Sequence, residues 1–125
     1  MALNERSLKA LVGVHPDLVA VAKRAAELMP NGFILTEGMR SKERQRELFA
    51  KGLSKTMNSR HLVGLAVDFA PLVDGQVTWK WPAFKPVADA FKAAAKELDI
   101  AIEWGGDWRR FKDGPHIELS RAVYK

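Results

Sequence analysis

Ser59-Arg60-His61-Leu62-Val63-Gly64-Leu65-Ala66-Val67-Asp68 is the stretch whose reading decides the fold. It opens on a polar segment bearing a histidine, breaks at Gly64, and continues as an alternation. Leu65, Val67 and Phe69 fall on one face, and Ala66, Asp68 and Ala70 on the other. Period-two patterning of this kind marks a strand, and the glycine lets the chain turn between His61 and that strand. A carboxylate set between two alanines has room beside it for an ion or a substrate. The stretch therefore reads as a β-strand carrying half of a metal site. The other half is expected at Asp113-Gly114-Pro115-His116-Ile117-Glu118, because the one remaining histidine, His15, lies in a different setting, at a helix start before Pro16.

Outward from this stretch, the N-terminal third reads as helical. Asn4 caps a short helix through about Val12, and His15-Pro16-Asp17 opens a second helix, with Pro16 at its first position. Leu18, Val21, Ala22, Ala25, Leu28 and Met29 recur at helical spacing until Pro30-Asn31-Gly32 ends the pattern. His15 is thus a helix-start residue without a metal role. Phe33-Ile34-Leu35-Thr36 reads as a buried strand, Glu37 to Arg40 as a loop, and Ser41 as the cap of a helix that turns Leu48 and Phe49 inward before Gly52. Residues 53–60 read as loop. Beyond Asp68, Leu72 to Val77 forms a hairpin on Asp74-Gly75. A helix from about Pro86 to Leu98 buries Val87, Ala90, Phe91, Ala94 and Leu98, and strands follow at Ala101–Trp104 and His116–Leu119. Trp104 and Trp108 read as packing residues. The pattern predicts an α+β fold: a small single domain, residues 1–125, with a central, mostly antiparallel sheet against helices.

Composition bounds the function. A chain of 125 residues suffices for one core. No apolar run approaches the roughly 18 residues of a membrane span, and the charged N-terminus lacks the pattern of a signal peptide. The absence of cysteine excludes disulfides and thiolate ligands, so a metal would be held by imidazole and carboxylate. The net charge of +5 favours polyanions such as wall polymers, lipid surfaces or nucleic acid. Basic residues are interleaved with acidic ones and form no block, so no nucleic-acid partner is expected.

Catalytic zinc sites take three ligands from histidine and carboxylate and leave a position for water. His61, Asp68 and His116 make such a set. Asp113 stands three residues before His116 with a Gly-Pro bend between them, which suits a general base placed beside a metal and not on it. Asp107 and Glu103 compete for that role. Arg40, just past a strand end, either stabilises an oxyanion or pairs with Glu37 or Glu43. Glu118 shares a strand face with His116 and is placed to support it or to meet substrate. Each feature also has a plain alternative: Asp113-Gly114-Pro115 is an ordinary turn, and two histidines with an aspartate occur without any metal.

Taken together, Ser59-x-His61-x-x-Gly64-x-Ala66-x-Asp68, then Trp104-Gly105-Gly106-Asp107-Trp108 and Asp113-x-Pro115-His116-x-Glu118, resemble the zinc peptidases of the VanY/D-alanyl-D-alanine carboxypeptidase (M15) family. More narrowly they resemble its phage endolysin branch, the L-alanyl-D-glutamate endopeptidases. Thr36 to Ser41 joins the match, so the resemblance spans about residues 33–119. It implies a zinc (Zn2+) cofactor held by His61, Asp68 and His116, with Asp113 as catalytic base. Arg40 would be the oxyanion and substrate-orienting residue, and Ser59 would lie at the substrate cleft. The implied substrate is the peptidoglycan stem peptide, cut between L-alanine and D-glutamate. A monomeric bacteriolytic hydrolase is expected, held in the host cytoplasm until the membrane opens and then acting in the periplasm on the cell wall. No separate cell-wall-binding domain fits the length, which suits the thin wall of a Gram-negative host. A D-alanyl-D-alanine carboxypeptidase on the same scaffold and a non-catalytic zinc-containing wall-binding module stand as alternatives.

Overall fold

The structure, a computed structural model, describes residues 3–53, 59–109 and 112–124. Asn4 accepts the Ser7 amide at 2.8 Å and starts helix α1, Glu5–Ala10. His15 accepts the Asp17 amide at 3.0 Å and starts α2, Pro16–Leu28. Strand β1 is Phe33–Glu37 and helix α3, capped by Ser41, is Lys42–Ala50. A single 3-10 turn, Arg60–Val63, leads into β2, Ala66–Val73, which folds back through a hairpin to β3, Gln76–Val77. A second 3-10 turn, Trp81–Ala83, precedes helix α4, Phe84–Leu98. Strand β4, Ile102–Trp104, a third 3-10 turn at Gly105–Asp107 and β5, His116–Leu119, complete the order.

The sheet runs β1-β2-β5-β4, with β3 paired to β2, and every pairing is antiparallel. Strand β2 is its middle, and its alternation sorts the whole sheet into two faces. Val67 lies opposite Ile117, and Leu35 opposite Phe69, so these residues share one face and are fully buried there. Helices α2 and α4 pack on one another, and their buried side chains join this face in one core. Phe91 of α4 stacks on Phe69 with ring centres 5.8 Å apart and meets Phe33 at 5.1 Å. Each fully buried side chain of this size contributes about 1.5–3 kcal/mol. The other face carries Asp68 directly opposite His116, and Ala66 directly opposite Glu118. One strand thus commits its large apolar residues to the core and its aspartate to a polar face. A slip of one residue would exchange the two.

The architecture is the expected α+β one, and the differences are local. Helix α1 ends at Ala10, not near Val12. Helix α4 starts at Phe84, two residues before Pro86, continuing the 3-10 turn that holds Pro82. Phe49 is 47% exposed, not turned inward. Gln45 and Leu48, three residues apart, form the inner face of α3, and Gln45 is anchored there by Arg40, so a polar contact and not an apolar pair sets the rotation of the helix. Leu98 is 42% exposed, because Asp99 takes a left-handed conformation and the following Ile100 packs on the core instead. Of the expected 53–60 loop, residues 54–58 lie outside the described residues, and Arg60 already belongs to the 3-10 turn.

Candidate metal centre

His61 is fixed by the turn that carries it. The Ser59 hydroxyl accepts the His61 amide at 3.2 Å, and Gly64 closes the turn in the left-handed region at φ 72°. The turn is then pinned from outside: the Arg40 amide donates to the His61 carbonyl at 2.8 Å, and the His15 amide to the Gly64 carbonyl at 2.8 Å. The approach is so close that a Cβ on Gly64 would run into the Gly13 carbonyl oxygen. Asp68 is held by strand register between His116 on β5 and Glu37 on β1. A bulge between Leu35 and Glu37 re-aims the end of β1, a common device beside functional sites, and the chain just beyond it delivers Arg40. His116 begins β5 after a tight loop in which the Asp113 amide donates to Gly105 at 3.1 Å and the His116 amide to Asp113 at 3.2 Å. Gly105 has no side chain where one would strike the Asp113 carbonyl and crowd the His116 Cβ.

These elements bring His61, Asp68 and His116 together, with possible ligand atoms all within 4.8 Å of one another. His61 Nε2 and His116 Nδ1 each lie 3.3 Å from Asp68 Oδ1. The outer nitrogen of each ring is occupied. His61 Nδ1 is 2.7 Å from the Gly38 carbonyl and must donate to it, since a carbonyl only accepts. His116 Nε2 is 2.9 Å from Glu118 Oε1 and donates to that carboxylate. In the neutral rings both inner nitrogens therefore present lone pairs toward Asp68, whose Oδ1 is buried without a hydrogen-bond partner. Two imidazoles and one carboxylate converging in this way fit a divalent cation such as zinc.

Without a cation, a proton must relieve the same convergence. Burial opposes charge on His116, but the Asp68 and Glu118 carboxylates beside its ring outweigh that and push its pKa up to about 9. Burial also opposes charge on Asp68, yet its contacts with His116 and His61 hold the carboxyl well below the usual carboxylate range. Asp113 is the third acidic group, its Oδ2 4.0 Å from His116 Nδ1. Burial and then the Asp68 charge raise its pKa, against the opposing pull of His116, His61 and Arg40. The Arg40 guanidinium is buried: Nε bonds Glu37 at 2.7 Å, Nη1 donates to Gln45 at 2.7 Å, and Nη2 lies 3.6 Å from Asp68 Oδ2.

The sequence profile described as "Phage L-alanyl-D-glutamate peptidase" matches residues 1–120. The chain belongs to this family. It is 38% identical to the L-alanyl-D-glutamate peptidase of Escherichia phage T5, over 97% of this chain and 90% of that protein. It is 36% identical to the peptidoglycan L-alanyl-D-glutamate endopeptidase CwlK of Bacillus subtilis (strain 168), over 69% of this chain and 59% of that one. Among solved structures, the Serratia marcescens L-Ala D-Glu endopeptidase ChiX superposes with a TM-score of 0.91 at 44% identity, covering 99% of this chain and 93% of that one. The vancomycin-resistance D,D-dipeptidase VanXYg shares the fold alone, with a TM-score of 0.58 at 18% identity over 85% of this chain and 50% of its own.

In this peptidase the residues singled out in the sequence fall into three groups. His61, Asp68, His116 and Arg40 meet at one point, and Asp113 stands at its edge. Ser59 caps the turn of His61, a positioning contact that sequence spacing did not suggest. Arg40 does pair with Glu37, as one of its two readings held, and it also reaches Asp68. Asp107 and Glu103, the competitors of Asp113, are engaged elsewhere: Asp107 pairs with Lys92 at 2.7 Å and Glu103 accepts the Arg121 amide at 3.1 Å. The residues missed are supporting ones. Gln45 holds Arg40 and Gly38 supplies a carbonyl. Neither carries a signal in spacing, since one acts through a tertiary contact and the other through backbone alone. Trp108, read as a packing residue, does pack, against His116 with ring centres 5.1 Å apart.

Proposed function

We propose that the chain is a zinc-dependent phage endolysin that hydrolyses the L-alanyl-D-glutamate bond of the peptidoglycan stem peptide. The observation that carries the reading is the convergence of two lone-pair imidazole nitrogens on a buried carboxylate oxygen with no hydrogen-bond partner, in a family named for that cleavage. His61, Asp68 and His116 would hold the zinc. Bound there, the ion supplies Lewis-acid chemistry, polarising the scissile carbonyl and acidifying water.

The chain's own residues do the rest. As water adds to the L-alanine carbonyl carbon, Asp113 accepts its proton, for which a carboxyl raised above its ordinary value by burial and the Asp68 charge is suited. When the carbon–nitrogen bond breaks, Asp113 returns that proton to the amino group of D-glutamate, so it ends each cycle ionised. Arg40, held rigid by Glu37 and Gln45, offers positive charge to the carbonyl oxygen as it becomes negative. Ser59, at the start of the His61 turn, borders the substrate cleft. The single domain carries the whole catalytic apparatus, acts as a monomer, and meets the wall once the host membrane is opened. Among the described residues no helix is long and apolar enough to cross a membrane.

The test is clearing of purified peptidoglycan by protein that is untreated, chelator-treated, or chelator-treated and reloaded with zinc. The reading predicts activity, loss and recovery in turn. Full activity after complete metal removal would contradict it.

A further inference from the structure

Glu118 is the buried titratable group that this chemistry leaves unused. It is fully buried, yet its carboxylate serves three partners from three segments. Oε1 takes the His116 Nε2 proton at 2.9 Å, Oε2 takes the Arg121 Nε proton at 3.0 Å, and Arg60 Nε lies 3.5 Å from Oε2. Stability does not account for it. Arg121 is 63% exposed, so that pair contributes little, and a fully buried carboxylate is commonly no better for stability than an apolar residue of its size. Its geometry is directed at the metal-site histidine. His116 and Glu118 stand two apart on one strand face, and the small Ala66 lies opposite Glu118. The guanidinium of Arg60 donates to the Leu119 and Tyr124 carbonyls, both at 2.8 Å, and Arg60 immediately precedes His61. Glu118 therefore touches one histidine and, through Arg60, the turn that carries the other.

We propose that Glu118 is a positioning residue that locks His116 in the Nε2-protonated tautomer and aims its Nδ1 lone pair at the metal, with Arg60 and Arg121 holding the carboxylate in place. The inference rests on the metal reading above and goes beyond it by assigning how the site is preformed. An outer partner of this kind commonly governs metal affinity by about 10–100-fold.

Two measurements test it. In the zinc-loaded wild type, long-range proton–nitrogen NMR correlations should show His116 protonated at Nε2 and ligating through Nδ1, with His61 the reverse. Ligation of His116 through Nε2 would overturn the proposal without any variant being made. In Glu118→Gln, zinc affinity measured by competition with a chromophoric chelator should fall about 10–100-fold, while the metal-free protein keeps its circular dichroism spectrum. A variant that loses melting temperature but binds zinc as tightly as wild type would show a purely structural role and overturn the proposal. Failure of the wild type to bind zinc would instead sink the metal reading itself, which separates the two failures.

Discussion

Titrating the protein in chelator isolates the proton that His116 holds between Asp68 and Glu118 when no cation is bound. In the metal-free protein His116 holds its proton up to about 9, against an ordinary value of 6.5, because Asp68 and Glu118 together outweigh burial. A folded-state pKa above the unfolded one gives stability that is fully present below the unfolded value and is lost as pH rises through the folded value. The window is therefore pH 6.5 to about 9, a difference of about 2.5 units. At about 1.4 kcal/mol per unit this amounts to about 3 kcal/mol. For a domain of this size that lowers the melting temperature by roughly 10 °C. The assay is thermal unfolding in chelator from pH 6 to 10, wild type against His116→Asn, so that titrations common to both cancel in the difference. Zinc-loaded protein should behave oppositely across this window, since the proton no longer competes with the metal as pH rises and metal stabilisation grows. Chelated wild type with the same pH slope as His116→Asn, or one that gains stability toward pH 9, would refute the reasoning.

Three further outcomes follow from the same geometry. Asp113→Asn should lower wall cleavage by about 10²–10⁴-fold while zinc content and melting temperature stay as in wild type; unchanged cleavage would remove Asp113 from the base role. Arg40→Ala should cost about 10²–10³-fold in turnover and also destabilise, because Glu37 and Asp68 lose their buried counter-charge; Arg40→Lys, which restores charge without the planar fork, should recover stability better than turnover. Gly64→Ala forces a side chain into the left-handed region and against the Gly13 carbonyl, so its denaturation midpoint should drop by the equivalent of at least about 1–2 kcal/mol; an unshifted midpoint would contradict the tight docking of the His61 turn.

What was legible in the sequence and what was not divides along physical lines. The Leu65 to Ala70 alternation is a local signal, and it fixed both the strand and the face on which Asp68 appears, because side-chain direction along a strand follows from period alone. The caps at Asn4 and Ser41 and the Asp74-Gly75 hairpin were equally local and are found in place. The convergence of His61, Asp68 and His116 was readable since it needs residue types at fixed positions on one turn and two strands. The orientation of Arg40 was not readable, because it depends on a β1 bulge and on Gln45 arriving from α3. The outward Phe49 and Leu98 were misplaced for a related reason: periodicity marks an apolar stripe, but tertiary anchors choose its rotation and end. Glu118 was visible as a neighbour of His116. Its link to Arg60, 58 residues away in sequence, came from the fold.

The central claim is that this site, loaded with zinc, cuts one particular bond, and the products test it most directly. Purified peptidoglycan digested with zinc-loaded protein and analysed by mass spectrometry should yield glycan fragments ending in L-alanine and peptides that begin with D-glutamate, absent after digestion with Asp113→Asn. Release of free D-alanine from otherwise intact stem peptides, or no cleavage at all by fully zinc-loaded protein, would contradict the account.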